Sequence, residues 1–153
     1  MNLDNLQLPP VVLSDLYKKC LVEIQYFLGG NGLRVCIIIN EPDAQFLQDQ
    51  DLAFLSGILS ACGLSLEDIA LVNQHKTPSI NYKSISDELS ARIVILFGIT
   101  PEGLQLPLIF PAFQVQEFNH QKFLHAPTLK QLQENREDKK KLWDALKKLF
   151  AIS

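Results

Sequence analysis

Residues 35–43 read Val-Cys-Ile-Ile-Ile-Asn-Glu-Pro-Asp. The first five form a continuous apolar run, four of them β-branched. A run of that length without polar alternation has the pattern of a strand buried on both faces, the habit of parallel sheets. Asn40-Glu41-Pro42-Asp43 then leaves the strand as a loop. Two later runs repeat the pattern, Ile69-Ala70-Leu71-Val72 and Ile93-Val94-Ile95-Leu96-Phe97, the last closed by Gly98. Between the first two runs, Leu52, Leu55, Ile58, Leu59 and Cys62 fall at helical spacing and Gly63 stops the element. Leu64 to Asp68 then forms a turn. Between the second and third runs, Ser84 or Ser86 is the expected cap of a short helix ending near Leu89. Strand–helix–strand alternation predicts an α/β domain with right-handed crossovers.

Beyond Gly98 the pattern weakens. Pro101, Pro107 and Pro111 mark turns. Phe113, Val115 and Glu117 alternate with Gln114, Gln116 and Phe118, an imperfect period of two, and a strand pair through Asn119-His120 to Phe123 is expected. Phe123-Leu124-His125 is a short apolar segment leading to Ala126-Pro127-Thr128, with Pro127 suited to the first turn of a helix. The longest helical pattern follows. Leu129 and Leu132 begin its apolar stripe, and Leu142, Trp143, Leu146, Leu149 and Phe150 continue it. Asn135 interrupts the stripe, so one helix or two with a break near residues 134–137 fit equally well. At the other end, residues 1–13, with Pro9-Pro10, read as an extended arm. Ser14 caps a helical face of Leu16, Cys20, Ile24 and Phe27, which Gly29-Gly30-Asn31-Gly32 ends. Residues 14–153 are expected to form a single domain.

The chain has 153 residues, 47% of them hydrophobic, and a net charge of −3. That apolar fraction suits a packed core rather than a disordered chain. Residues 130–148 carry seven Lys/Arg against four acids, so this segment is +3 and the rest is −6. Such a balance argues against a nucleic-acid coat and leaves a local basic face. Cys20, Cys36 and Cys62 are widely spaced, with no C-x-x-C pair. They read as buried free thiols of a reducing cytosol, and no metal or other cofactor is implied. No window approaches the ~18 apolar residues of a membrane span, and no basic segment precedes an apolar run at the N-terminus. The expectation is a cytoplasmic protein with no membrane partner.

In open α/β sheets, ligands gather outside the carboxyl ends of the strands. Three segments fall there: Asn40 to Asp43, Asn73 to Pro78, and His125 to Thr128. Glu41 or Asp43 could orient a water, Asn73 could read an amide edge, and His125 could stabilise an anion. That trio suits hydrolysis of the glycosidic bond to a base. Spacing alone favours a structural account, with Asn and Asp in turns, Glu41 solvated and His125 packed in a strand. Lys139, Lys140 and Lys141, with Lys147-Lys148, could meet DNA phosphates, although a solvated helix face suits them better. Gly29–Gly32 precedes a strand and lacks a following Gly-Lys-Ser/Thr, so it is no phosphate loop.

Taken together, these segments resemble the uracil-DNA glycosylase fold. Asn73-Gln74-His75-Lys76-Thr77-Pro78 is similar to that family's N-x-x-K-x-x-P-P segment. Leu55 to Leu71 resembles the preceding helix-turn-strand. Ala126-Pro127-Thr128-Leu129, with Lys140, Trp143 and Leu146, resembles its His-Pro-Ser motif and following helix. The resemblance spans residues 34–150. It implies a three-layer α/β/α fold around a central, mostly parallel four-stranded sheet. It also implies a pocket at Asn40, Asn73, Lys76 and Thr128, with Glu41, Asp43 and His125 as the catalytic groups of an active member. The departures bear on activity. Asn40-Glu41-Pro42-Asp43 lacks both glycines of the family loop, which let the backbone approach sugar and base. The family His falls on Ala126, one residue after His125. Thr77 stands where a cluster cysteine would sit.

The psi subunits of bacterial DNA polymerase III share this fold without the activity. The run Pro127, Leu129, Leu132, Asn135, Leu142 and Trp143 resembles theirs. That resemblance implies a non-catalytic accessory of DNA replication or repair, a scaffold contacting chi, clamp-loader or polymerase subunits. A divergent uracil-DNA glycosylase and a nucleobase-binding module are the alternatives.

Overall fold

The structure, a computed structural model, describes residues 27–151. The expected arm at 1–13, most of the helix from Ser14, and Cys20 lie outside the described residues. Among the described residues, five strands are present: β1 Val35–Ile39, β2 Ile69–Asn73, β3 Ile93–Phe97, β4 Gln116–Phe118 and β5 Gln121–Ala126. Four helices accompany them: α1 Asp49–Ala61, α2 Tyr82–Leu89, α3 Leu129–Glu134 and α4 Arg136–Leu149. Short 3₁₀ turns occupy Leu66–Asp68 and Pro101–Leu104.

The sheet runs β2-β1-β3-β5-β4. Neighbours from β2 through β5 are parallel, and β4 is antiparallel to β5 at the edge. The fold class is therefore α/β with a mostly parallel sheet, of five strands rather than the four expected. The added strand is the three-residue Gln-Glu-Phe, the first half of the strand pair expected through Asn119-His120. Its pairing comes from the turn. Asn119 and His120 have φ of 57° and 59° and form a two-residue connection between Phe118 and Gln121. Two successive left-handed residues match the twist of the flanking strands, and Asn tolerates that region best after Gly. The alternation expected from Phe113 onward fails before Gln116, because Phe113 itself turns at φ 64°.

All residues of β1 and β2 are buried. Val35, Ile37, Ile39, Leu71 and Leu124 pack with α1, α3 and α4 on one face. Cys36, Ile38, Val72, Leu96 and Phe123 pack on the other with Ile85 and Leu89 of α2 and with Ile99, Leu104 and Phe110. Neither face of these strands is wet, so their sequences lack polar alternation. Each buried Leu or Ile contributes roughly 1.5–3 kcal/mol relative to exposure. Burial also pushes the Cys36 and Cys62 thiols up from their ordinary ionisation range, which leaves them protonated and poorly nucleophilic at neutral pH.

The Gly-rich segment seals the β2 edge. Leu28 and Leu71 exchange both backbone hydrogen bonds, at 2.9 and 2.8 Å. A Cβ on Gly29 or Gly30 would collide with carbonyl oxygens of residues 66–69. Close backbone approach, rather than phosphate binding, is the use of these glycines, and it protects a strand edge.

Helix starts differ from expectation in two places. Asn81, not Ser84 or Ser86, caps α2. Its Oδ1 accepts from the N–H groups of Lys83 and Ser84 at 2.9 and 3.0 Å, while Ser84 Oγ accepts from Asn81 N. Thr128 caps α3, so Pro127 stands just before the cap instead of in the first turn. Gln131 returns the bond to Thr128 N, completing a capping box. The long pattern resolves into two helices. Asn135 ends α3 and caps α4, its Oδ1 accepting from Asp138 N at 3.1 Å.

Candidate functional site

The chain runs from β1 out to β2, then back across β1 to β3, so the strand order reverses between β1 and β3. Such a switch point opens a crevice at the carboxyl ends. A cavity of about 200 Å³ lies there. Asn40, Glu41 and Asp43 line it from the loop after β1, Phe97 from β3, and Thr128 and Lys130 from the start of α3. A larger cleft of about 620 Å³ lies at the ends of β3 and β5. His125, Thr100, Gln131, Glu134 and Asp138 face it.

Asn73 lines neither cavity. It is the last residue of β2 and only 1% exposed. Its Oδ1 accepts from Glu41 N at 2.9 Å and from His75 N at 3.1 Å. Its Nδ2 donates to the carbonyls of Glu41 at 2.8 Å and of Ala44 and Gln45 at 3.1 Å each. Two amide hydrogens and two lone pairs are thus all engaged by backbone. Asn73 staples the loop after β1 to the end of β2. Gln74 N adds a bond to Ile39 O at 2.8 Å, extending the same seam.

Glu41, expected to be solvated on spacing alone, is 6% exposed. Its Oε2 accepts from Asp43 N at 3.1 Å, which closes the tight loop Glu41-Pro42-Asp43. Asn40 and Asp43 are exposed, as is Thr128, whose hydroxyl caps α3. Lys76 is exposed on the turn after β2 and lines neither cavity.

His125 and Ala126 separate as successive strand residues must. In the register, Leu96 pairs with His125 and Phe97 with Ala126. Ala126 belongs to the core under α3 and α4, on the face of Phe97. His125 packs on the other face, edge-on to Phe110 with ring centroids 5.1 Å apart. His125 Nε2 lies 2.7 Å from Phe110 O. A carbonyl only accepts, so Nε2 is the donor and its proton is engaged within the chain.

No protein-family model matches this chain, and no curated protein does.

Its chemistry therefore rests on the geometry. The carboxylates of Glu41 and Asp43 share the switch-point cavity with Lys130. His125 faces the neighbouring cleft, and the Asn73 amide is enclosed between loop and strand. The acid, amide and imidazole that glycosidic hydrolysis would bring together do not line one cavity. At about 200 Å³, the switch-point cavity is below the ~300–1,000 Å³ of ordinary ligand sites. Among the described residues, no group of three or more His, Cys, Asp or Glu is placed to hold a metal ion. No helix among them is long and apolar enough to cross a membrane.

Lys140 and Lys141 are exposed, on the outer side of α4. Lys139 is exposed as well, its Nζ resting 5.8 Å from the centre of the Phe54 ring on α1. Two residues of the switch-point cavity carried no signal in the sequence. Asp51 is 4% exposed in α1, its Oδ1 accepting from Gln133 Nε2 of α3 at 2.8 Å. Lys130 reaches the same cavity from α3. Nothing in their local sequence links positions some eighty residues apart.

Proposed function

We propose that this chain is a non-catalytic protein of the uracil-DNA glycosylase fold, serving replication or repair as a protein-binding subunit similar to the psi subunits of DNA polymerase III. The finer reading of the fold, three α/β/α layers with β4 added at the edge, belongs to this proposal. One observation carries it: every hydrogen-bonding position of the Asn73 amide is engaged by backbone. A residue that reads a base must present a free amide edge to the pocket, and freeing this one would unfasten the loop after β1. The separation of His125 from Glu41 and Asp43 points the same way. Clamp-loader or polymerase subunits are the partners this reading names.

The rival is a divergent uracil-DNA glycosylase using Glu41, Asp43 and His125. Its support is the buried Glu41 carboxylate at the switch-point cavity. Uracil-containing single-stranded DNA separates the two. Under the scaffold reading, DNA incubated with the purified protein stays intact after alkali. Strand cleavage that disappears in Asp43→Asn, a substitution at an exposed position, overturns it. A pull-down from the native cell then recovers clamp-loader or polymerase subunits at near-stoichiometric yield. Recovery of neither class refutes the named partners.

A further inference from the structure

The surface between α1 and α4 carries an apolar groove of about 460 Å³. Phe54 and Ile58 form one wall, and Trp143, Leu142 and Leu146 the other and the floor. We propose that this groove docks an amphipathic helix of a partner protein, apolar on the inserted face and acidic along the flank that meets α4. The inference rests on the protein-binding reading above and assigns it a surface and a partner chemistry.

Three observations converge. First, Phe54, Ile58 and Trp143 are only half-buried, although they pack against the core beneath. They present a continuous apolar strip, not scattered exposed residues. Second, Ala53, Gly57 and Ala61 lie at i, i+4 and i+8 along the α1 rim of the same groove. A Cβ on Gly57 would meet no heavy atom within 4 Å. Among the described residues, packing gives no reason for a glycine in mid-helix. A helix laid in the groove does, since its backbone can approach α1 closely there. From Ala53 to Ala61 the rim is about 12 Å long, room for two turns.

Third, the walls differ in charge. The sequence of α1 contains no Lys or Arg. In α4, Arg136, Lys139, Lys140, Lys141, Lys147 and Lys148 outnumber Glu137, Asp138 and Asp144. Lys139 itself lines the groove, its Nζ held 5.8 Å from the centre of the Phe54 ring. An occupant therefore gains by placing Asp or Glu along its α4 side. A second copy of this chain is disfavoured, since it would bring another basic α4 wall to the first.

The test uses the full chain in its native cell, with a photo-crosslinking amino acid at Ser60, an exposed position next to Ala61 of the groove rim. Cross-linked peptides are mapped by mass spectrometry. The expected product joins residue 60 to a helical segment of another protein with acidic residues on one flank. Gly57→Leu fills the groove, keeps the helical circular dichroism, and removes that product. Lys139→Glu with Lys140→Glu lowers its yield at least ten-fold. Links only to residues 1–26, only to a second copy, to a segment without acidic flanks, or to nothing overturn the proposal. A pull-down in which Gly57→Leu recovers partner subunits as well as the wild type overturns the groove alone and leaves the scaffold reading standing. A wild type that recovers none defeats the scaffold reading itself.

Discussion

The side-chain amide of Asn73 brackets the peptide of Glu41. Oδ1 takes the Glu41 N–H at 2.9 Å and Nδ2 gives to the Glu41 carbonyl at 2.8 Å. Asn73 thus acts as one more rung between the end of β2 and the chain leaving β1, where the register stops at Ile39 with Asn73. The same amide extends to Ala44 and Gln45, so one side chain holds the whole turn at residues 41–45.

Removing the staple leaves buried backbone groups unpaired. Asn73→Ala is expected to lower stability by about 1–3 kcal/mol, measured by urea unfolding. Asn73→Asp should be worse at neutral pH, because a carboxylate would face three carbonyl oxygens with no hydrogen to offer. A stable Asn73→Ala variant that has instead lost affinity for a nucleobase would contradict the structural role.

Gly98 is held by its backbone and its neighbour. Its φ is 74°, and a Cβ would lie 2.5 Å from Thr128 Cγ2. Gly98→Ala should cost about 2 kcal/mol through the left-handed conformation and this clash. Thr128→Ser deletes Cγ2 while keeping the capping hydroxyl. The double variant should therefore recover part of the loss in thermal unfolding, and additive losses would argue against the contact.

Gly57 behaves in the opposite way. Its Cβ space is open, so Gly57→Ala is expected to raise stability by about 0.5–1 kcal/mol through helix propensity. An unchanged or lower midpoint in urea would show that Gly57 serves the isolated fold after all.

The buried thiols set an alkaline limit. The Cys36 thiol is pushed up by burial, from an ordinary value of 9.0, and Cys62 is raised in the same direction. The unfolded chain therefore releases these protons first. Their contribution is fully present below about pH 9 and is lost as pH rises above it, with a slope of about 1.4 kcal/mol per pH unit for a single thiol. Urea midpoints from pH 7 to 10.5 should fall more steeply for the wild type than for Cys36→Ala. Parallel curves would exclude Cys36 as a source.

Three of the five strands were legible because burial on both faces leaves a signature in composition. Runs such as Val35–Ile39 and Ile93–Phe97 have no polar member. The helix break at Asn135 was visible as an interruption but not as a decision, since a polar residue can sit on a helix or cap one. β4 was weakly legible. Its three residues have no periodicity of their own and pair only because Asn119 and His120 turn the chain back. The Ala126–His125 offset was readable from strand alternation alone, and the register places the two on opposite faces.

The candidate site was legible as a list of segments and not as an arrangement. Alternation of strands and helices put Asn40–Asp43, Asn73–Pro78 and His125–Thr128 at the carboxyl edge of the sheet, because parallel strands bring their following loops to one side. Which side chains face a cavity was settled only in three dimensions. Asn73 has the same donors and acceptors whether it reads a ligand or holds a loop. The difference lies in what occupies its hydrogen-bonding positions, here the backbone of residues 41, 44, 45 and 75. The α1–α4 groove likewise needed the tertiary structure. Ile58 and Trp143 look like core residues along their own helices, and only the gap between those helices leaves them half-buried.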